Sequence, residues 1–460
     1  MPNKPNKVQA AGVALFADGG ILSRMTSLSA DTDLGVEEIR EISNSSVVEF
    51  VEGTPTVTVQ IEANQIGIRD NIAFLTGQDG SLQSSMISPG KGGLPAGRTR
   101  EITHFSFDGT QSDLVIQVEE DSVLARSIYI PNAFVTSLSW SFDVGGVATE
   151  SYTLEADDKR QYVGAKKELV VVSGWYDTTS PLSGSGFRVT PHYNLDPVHG
   201  AGTYFVASSF STAMHAGMAF TPIEASVDGV VLKNTSTGAA LVPVPGIVYN
   251  NDYVLFPSQF VSQITNGRIR ILGYKDTPSS TISADTTYSS TPNRGGARKG
   301  QVEIFLISGA PWMYEGRNTS PEKFFRLQTC SIDVDLSRET LEELGNSQAV
   351  ERSLNFPISA TVNFSALDSD VQAWAAFANL RNEYDNSFGG SVQKIGFRDF
   401  LQTAGVLIKV YDDDDTNPSR NRLMTITVSG IRVASESFSV DAGGNAVQEF
   451  SCSADNFVIS

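Results

Sequence analysis

The chain has few of the residues that build catalytic and metal sites. Its 460 residues include only 2 cysteines and 4 histidines. Two cysteines predict no disulfide framework. The histidines His104, His192, His199 and His215 show no HExxH spacing, so scattered packing or surface roles are favoured over a metal site. No Ser/His/Asp or Cys/His arrangement emerges, and the sequence therefore predicts no catalytic, cofactor-binding or metal residues.

Positive charge is also scarce, with 33 Lys and Arg against 52 Asp and Glu and a net charge of −19. This balance argues against nucleic-acid binding, which needs clustered cations. It is compatible with a wall past which DNA slides, because an acidic surface repels phosphate. The N-terminal residues 1–7 lack a following apolar core and no 18-residue apolar run exists, so neither a signal peptide nor a membrane span is predicted.

The sequence instead contains an internal repeat. Residues 29–45 reappear 302 positions later as residues 331–347, with 8 of 17 positions identical. Residues 139–158 reappear 298 positions later as residues 437–456, with 8 identities over 20 positions. Two matched blocks in one order and at nearly one offset indicate a duplicated domain. Duplication of a β-domain favours a symmetric structural role over an active site.

The pattern predicts a mainly β fold with three parts: two homologous domains, residues 1–162 and 297–460, and a β-rich insert domain, residues 163–296. Each homologous domain should be a β-sandwich or barrel with one flanking α-helix, around 70–75 in the first and over 371–380 in the second. Ser337 predicts the start of a shorter helix over 338–344. A hairpin should turn at Gly145-Gly146, and its counterpart at 441–444.

Several smaller motifs have simpler structural interpretations. Asp412 to Asp415 is favoured as a solvated turn over a Ca²⁺ site, since it lacks the spacing of a calcium loop. Asp31/Asp33 and Asp333/Asp335 alternate, so each pair should lie on one solvated strand face. Cys330 and Cys452 align with Leu28 and Leu154 of the other repeat, which predicts small buried apolar side chains. Gly90-Lys91 lacks the first glycine of a phosphate loop, and the sequons at Asn44, Asn234, Asn318 and Asn363 carry little weight without a secretory signal.

Residues 135–158 resemble the strand–turn–strand stretch of the tail tube proteins of tailed bacteriophages. The turn at 143–146 and the returning segment at 148–151 carry the likeness, and residues 441–444 repeat it more weakly. The resemblance implies a β-sandwich or barrel with one flanking helix, six-fold rings of such domains, and rings stacked into a hollow tube through which DNA leaves the virion. The Gly-rich segment 76–100 is the candidate loop between rings. The motifs are structural, so no functional residue is carried over.

A duplicated tube domain predicts how many chains close a ring. If each domain fills one-sixth of the ring, three chains close it, which predicts a homotrimer with pseudo-six-fold symmetry and the insert outside the bore. A homohexamer, with each repeat contributing to a different ring, is the alternative. The resemblance also implies other tail proteins as partners, passage of DNA without specific binding, no membrane, and assembly into virion tails in the host cytoplasm.

A second function class remains open. The chain could be a β-rich adhesin or glycan-binding fibre component, with aromatic residues of the insert such as Trp175 and Tyr204 forming the binding module. An enzyme ranks third, because no catalytic constellation is found.

Overall fold

A computed structural model describes the chain in many separate stretches. These are residues 13–17, 20–22, 25–40, 47–51, 53, 55–64, 102–103, 111–120, 123–163, 169–176, 187–192, 202–207, 219–227, 230–231, 246–247, 267–275, 296–308, 322–323, 327–341, 351–367, 404–413, 416–417, 419–440 and 446–459. They are almost entirely β-strand, as predicted, and their single helical element is a 3-10 turn at Lys299–Gln301. No helix within these stretches is long and apolar enough to cross a membrane.

The strands fall into three groups along the chain. The N-terminal set contains β1 Val13–Ala17, β2 Gly20–Ile21, β3 Met25–Asp33, β4 Glu37–Arg40, β5 Val47–Val51, β6 Thr56–Asn64, β7 Ile102–Thr103, β8 Ser112–Glu120, β9 Val123–Asp143, β10 Thr149–Ala156 and β11 Arg160–Val163. The middle set contains β12 Leu169–Tyr176, β13 Phe187–His192, β14 Gly202–Ala207, β15 Ala219–Val227, β16 Val230–Val231, β17 Gly246–Ile247 and β18 Gly267–Lys275. The C-terminal set contains β19 Val302–Ser308, β20 Glu322–Lys323, β21 Leu327–Asp335, β22 Arg338–Leu341, β23 Glu351–Leu354, β24 Ser359–Leu367, β25 Ala404–Tyr411, β26 Arg422–Val440, β27 Ala446–Ala454 and β28 Asn456–Ile459.

The N-terminal and C-terminal sets contain the same series of antiparallel pairings. In the first, the strands pair in the order β1-β8-β9-β10-β6-β3. In the second, the order is β19-β25-β26-β27-β24-β21. Bulges also occur at matching places, for example at Thr26 in β3 and at Gln328 in β21. The repeated sequence blocks therefore lie in equivalent strands.

The long strands β9 and β26 each belong to two sheets. The first part of β9 pairs with β8 and its second part with β10, and β26 divides in the same way between β25 and β27. A bulge marks each transition, at Thr136 and at Ala434. Bulges bend a strand and increase its twist, so each long strand can pass from the sheet that contains β8 or β25 into the sheet that contains β10 or β27.

Strict alternation of side chains builds the core between these sheets. Along β6 and β24 every second residue is buried, including Val57, Val59 and Ile61 in the former and Val362 and Phe364 in the latter. A period of two places these apolar side chains on one face and the intervening polar ones on the other. The buried faces join in one apolar cluster that includes residues of both sets.

The middle set forms sheets of its own. Its main sheet has the order β12-β18-β15-β16, with β17 beside β15, and β13 pairs with β14. The start of β12 contacts the N-terminal set, because Gln117 Nε2 donates a hydrogen bond to the Leu169 carbonyl at 3.2 Å. The boundaries of a separate insert domain at 163 and 296 remain a prediction.

One predicted helix is wrong. Residues 338–341 form β22, which pairs with β23, in place of the first turn of the helix expected over 338–344. The hairpin at Gly145-Gly146 is confirmed between β9 and β10. The flanking helices around 70–75 and over 371–380, the segment 76–100 and the turn at 441–444 lie outside the described residues.

Candidate assembly interface

The two strand sets share one sheet. Seven consecutive pairings join eight strands in the order β3-β6-β10-β9-β21-β24-β27-β26. The pairing of β9 with β21 connects the sets, and we call it the junction. The sheet begins at β3 and ends at the second half of β26.

The junction is a well-packed antiparallel contact. Trp140 lies opposite Ile332 and Phe142 opposite Cys330, and these side chains are at most 4% exposed. Leu336 extends the contact, because it is fully buried and its N–H donates to the Thr136 carbonyl at 2.8 Å. The buried side chains of the two strands therefore lie side by side on the core face of the sheet.

Polar groups fix the junction at two places. Ser139 Oγ donates to Asp333 Oδ1 at 2.7 Å on the polar face of the sheet. Arg352, on β23, donates to Glu155 Oε2 at 3.0 Å and also to Asp157. These contacts join strands far apart in the sequence, so they hold the two sets in one register.

A cation–aromatic contact completes the junction. The Arg338 guanidinium lies 4.7 Å from the centre of the Phe134 ring. Arg338 belongs to β22 and Phe134 to β9, so the contact again joins the two sets.

Apolar side chains at the two ends of the shared sheet are more exposed than those at the junction. Within the described residues, β3 pairs only with β6 and the second half of β26 pairs only with β27. Phe438 and Val440 on β26 are 55% and 62% exposed, and Leu34 just after β3 is 54% exposed. Large apolar side chains at a sheet edge mark a surface for pairing with another chain.

The face of the shared sheet that points away from the core is polar. Its strands present hydroxyl, amide and carboxylate side chains in alternate positions. Its acidic members are Asp31, Asp33, Glu62, Asp143, Glu155, Asp333, Asp335 and Glu449. Among the described paired positions of this face there is one cation, Arg432, which lies opposite Ser453. We call this surface the polar face.

The predicted aspartate pairs lie on β3 and on its equivalent in the other set, β21. Asp31, Asp33, Asp333 and Asp335 are all exposed on the polar face, as expected for solvated positions. Asp33 and Asp335 have matching local roles, because each accepts the N–H of the residue two positions later at 2.9 Å. These carboxylates shape turns and strand contacts.

The cysteines behave as the apolar side chains that the repeat predicts. Cys330 and Cys452 are fully buried and not disulfide-bonded. Burial raises the pKa of the Cys330 thiol far above its ordinary value, and nearby Cys452 and Asp333 raise it further. Burial also raises the pKa of the Cys452 thiol to about 12.

Two members of the acidic run close a turn. Asp412 and Asp413 lie between β25 and β26, where Asp412 accepts hydrogen bonds from Asn421 and Asp413 accepts one from Asn417. Their carboxylates therefore have partners within the chain. Asp414 and Asp415 lie outside the described residues.

Of the remaining histidine, phosphate-loop and sequon candidates, only His192 and Asn363 lie within the described residues. His192 ends β13, whereas His104, His199, His215, Gly90, Lys91, Asn44, Asn234 and Asn318 lie outside the described stretches. Asn363 lies on β24, where its Nδ2 donates to Ser331 Oγ at 3.2 Å. The described part of the chain contains no group of three or more potential metal ligands.

Sequence reasoning missed the exposed edge residues Phe438, Val440 and Leu34. The repeat contained the signal, since an offset of 298 aligns Phe438 with Trp140 and an offset of 302 aligns Leu34 with Leu336. Only the structure shows that one member of each pair is buried and the other exposed.

Comparison with known proteins finds similarity only among solved structures. No protein-family model and no curated protein matches the sequence. The tube-terminating cap of the anti-feeding prophage is similar over 36% of this chain and 96% of its own, at 15% identity and a TM-score of 0.24. The sheath–tube complex of the PVC extracellular contractile injection system covers 34% and 93%, at 16% identity and 0.23. The SPP1 tail tube covers 36% and 79%, at 12% identity and 0.23.

These neighbours are tail tube proteins and related tube components of phage-like systems.

Proposed function

We propose that this chain is a structural protein of a phage-like tail, in which it forms the wall of a hollow tube. One observation carries the proposal: an eight-stranded antiparallel sheet ends in two edges with exposed apolar side chains. An edge strand that continues into the next molecule satisfies its backbone groups. Because the two edges differ, the contact is head-to-tail, and such contacts close into rings when the rotation fits.

The polar face suits the inner surface of such a ring. It presents mainly short hydroxyl side chains and carboxylates, and Arg432, opposite Ser453 at the start of the open part of β26, is the single cation among its described paired positions. DNA binding depends on cations that neutralise phosphates. A bore lined by this face would let a genome pass into the host cell without holding it.

The repeat supports a small number of chains per ring. If each strand set supplies one-sixth of the wall, three chains of eight strands close a ring of 24 strands with pseudo-six-fold symmetry. The middle set, within residues 163–296, then lies on the outside. Rings would stack with one another and with other tail proteins in the virion tail, after assembly in the host cytoplasm.

Electron microscopy of the concentrated full-length chain, combined with native mass measurement of soluble rings, tests the proposal. We expect hollow tubes with a regular axial repeat and rings of three chains. Rings of six chains would agree with the proposed tube but would exclude the trimer. The tube would be contradicted if the chain stayed monomeric under all conditions, even after addition of an extract that contains the other tail proteins to initiate assembly.

A further inference from the structure

We infer that the second half of β26 pairs with β3 of another copy of this chain, in the register that the chain uses at its own junction. The inference rests on the proposed tube function and specifies its contact between chains. The junction is its template, because β26 is the equivalent of β9 and β3 is the equivalent of β21.

The first strand of the junction, β9, has the same kind of neighbour and the same bulge as β26. Ser139 pairs with Ser151 and Trp140 with Glu150 across β9 and β10. At an offset of 298, Ser437 pairs with Glu449 and Phe438 with Gln448 across β26 and β27. The bulges at Thr136 and Ala434 also differ by 298. The open half of β26 therefore has the backbone form of the half of β9 that receives β21.

The second strand of the junction, β21, has the same kind of neighbour and the same bulge as β3. Its pairing with β24 matches that of β3 with β6, including a bulge at Gln328 in one and at Thr26 in the other. The turn that follows also matches, since Asp335 and Asp33 each accept the N–H two residues later at 2.9 Å. The strand β3 is thus shaped like a strand that already pairs with β9.

Transfer of the junction register defines the contact between chains. At the junction, Ser141 lies opposite Ser331, Trp140 opposite Ile332 and Ser139 opposite Asp333. The offsets of 298 and 302 place Ser439 of one chain opposite Ser29 of the next, Phe438 opposite Ala30, and Ser437 opposite Asp31. A shift by one residue would turn the polar side chains into the core, so the register is strongly specified.

The exposed apolar side chains fit this arrangement. Trp140 and Leu336 are fully buried at the junction, whereas their equivalents Phe438 and Leu34 are 55% and 54% exposed in the single chain. Pairing of β26 with β3 would cover both side chains at once. Burial of apolar area favours association. The one contact that has to change is that of Lys159, whose Nζ donates to the Ala30 carbonyl in the single chain and must leave it to the Phe438 N–H.

A polar contact at the junction is available at the edges with identical residues. The Ser139 hydroxyl donates to the Asp333 carboxylate at 2.7 Å. Their equivalents are Ser437 and Asp31, again a serine and an aspartate, and both are exposed in the single chain. In the single chain the Ser437 hydroxyl donates to Glu449 Oε2 at 3.4 Å. In the inferred register Ser437 lies directly opposite Asp31, and its hydroxyl can turn to donate the same hydrogen bond there.

A cation replaces an aromatic ring in the new contact. At the junction the Trp140 and Phe457 rings lie 6.1 Å apart. Their equivalents at the offset of 298 are Phe438 and Lys159. Lys159 already lies at the β3 edge, because its Nζ donates to the Ala30 carbonyl at 2.9 Å. The ammonium group would therefore meet the Phe438 ring, an attractive cation–π pair.

Charge placement distinguishes the two contacts. At the junction, Arg338 lies over Phe134. At the edges the equivalent residues are Val36 and Arg432, so the cation has moved to the opposite strand. A wrong pairing of β26 with a second β21 would place Arg432 against Arg338. This like-charge contact disfavours the wrong partner and leaves β3 as the matching one.

The backbone pattern identifies residues for a cross-link. The Leu336 and Val144 N–H groups donate to the Thr136 and Gln328 carbonyls, which marks these as hydrogen-bonded pairs. Pair types alternate along an antiparallel ladder, so Ser141–Ser331 is a non-hydrogen-bonded pair with closely spaced side chains. Its equivalent between chains is Ser439–Ser29, which suits a disulfide bond.

The test is oxidative cross-linking of the full-length double variant Ser29→Cys/Ser439→Cys under assembly conditions. We expect most chains to appear as covalent oligomers on a non-reducing denaturing gel, with the series ending at the number of chains in one ring. Singly substituted Ser29→Cys and Ser439→Cys chains, when mixed, should give covalent dimers and no larger species.

Two matched serine-to-cysteine variants control the result. Ser27→Cys/Ser435→Cys uses the same strands, but in the inferred register these positions lie six residues apart, about 20 Å, so no cross-link is expected. Ser141→Cys/Ser331→Cys places the same type of pair at the junction. It should lose two free thiols on oxidation within a single chain, which shows that this strand pair accepts a disulfide.

The outcomes separate the contact from the tube. Rings or tubes in electron micrographs without the Ser29–Ser439 cross-link, or with a cross-link in Ser27→Cys/Ser435→Cys, would overturn the register and leave the tube intact. A Ser29–Ser439 cross-link without rings or tubes would retain the contact and overturn the tube. Neither assembly nor cross-linking, with the junction disulfide formed, would overturn both.

Discussion

At the scale of single residues, Trp140 and Phe438 occupy equivalent strand positions in opposite environments. Trp140 is fully buried at the junction, and Phe438 is 55% exposed. We expect Trp140→Ala to lower the free energy of unfolding of the single chain by about 3–5 kcal/mol, the usual cost of emptying a buried aromatic site. Phe438→Ala should change it by less than about 0.5 kcal/mol. Urea unfolding of dilute, monomeric protein measures both values.

Phe438→Ala should affect the assembly of rings, although it should hardly change the stability of the single chain. Phe438→Ala removes the side chain that the inferred contact buries, so sedimentation should show fewer rings at a concentration where the unmodified chain assembles. Val163→Ala is a matched control, because Val163 is 74% exposed on β11, away from both edges. A loss of assembly in Val163→Ala equal to that in Phe438→Ala would argue against a specific edge contact.

The two cysteines give a prediction about reactivity. Burial raises the pKa of Cys452 from 9.0 to about 12, and that of Cys330 also rises. Both thiols should therefore resist a thiol reagent at pH 8 in the folded chain and react rapidly in urea. Since the unfolded thiols lose their protons first, their contribution to stability is present below pH 9 and decreases as the pH rises towards 12. Rapid modification of either thiol in the native chain would contradict this assignment.

At the scale of elements, the hairpin of β22 and β23 fastens the junction through Arg352. Its side chain is 4% exposed and contacts Glu155 and Asp157, which are 35% and 17% exposed. Arg352→Ala should lower the free energy of unfolding by about 2–3 kcal/mol, less than for a fully buried pair because water screens one carboxylate. Hydrogen exchange should then show faster opening of β21 and β22 than of β6.

Arg352→Lys controls for charge alone. It keeps one positive charge but loses the forked contact with two carboxylates, so its effect should fall between the native chain and Arg352→Ala. If Arg352→Ala had the same free energy of unfolding as the native chain, and if the amide hydrogens of β21 exchanged no faster, the hairpin would not fasten the junction.

Local patterns predicted some elements well and others poorly. Gly145-Gly146 supplies its turn from neighbouring residues alone, so the hairpin could be read from the sequence. Ser337 can cap a helix over 338–344, but pairing with β23 makes residues 338–341 a strand instead. Tertiary pairing overrides weak local propensity in such short segments.

The candidate interface was predictable only in part, for a physical reason. The repeat showed that Trp140 and Phe438 are equivalent, but it could not show that Trp140 pairs with Ile332 across the junction. That contact joins residues almost 200 positions apart, and strand register over such distances leaves no periodic signal in a single sequence. The alternation of Asp31 and Asp33 was predictable, because a period of two depends only on the strand itself.

At the scale of the whole molecule, the scarcity of cations on the polar face can be tested by adding more of them. Ser141 on β9 and Ser451 on β27 lie on this face and are separated by β21 and β24. In Ser141→Lys/Ser451→Lys, a ring of three chains would carry six added positive charges in its bore. We expect tubes to form as before and to retain short duplex DNA added during assembly, since each neutralised phosphate releases counterions and adds affinity. Retention should fall steeply as salt is raised.

Nuclease treatment decides where that DNA is held. DNA within a bore is protected from digestion, whereas DNA on the outside is cut. Ser141→Gln/Ser451→Gln adds side chains without charge and should retain no DNA. Gln161→Lys/Ser429→Lys adds the same charge at exposed positions of β11 and of the first half of β26, away from the polar face, where any bound DNA should remain sensitive to nuclease. Protection in this outer variant and not in Ser141→Lys/Ser451→Lys would mean that the polar face points outward, so the sheet would have to curve in the opposite sense.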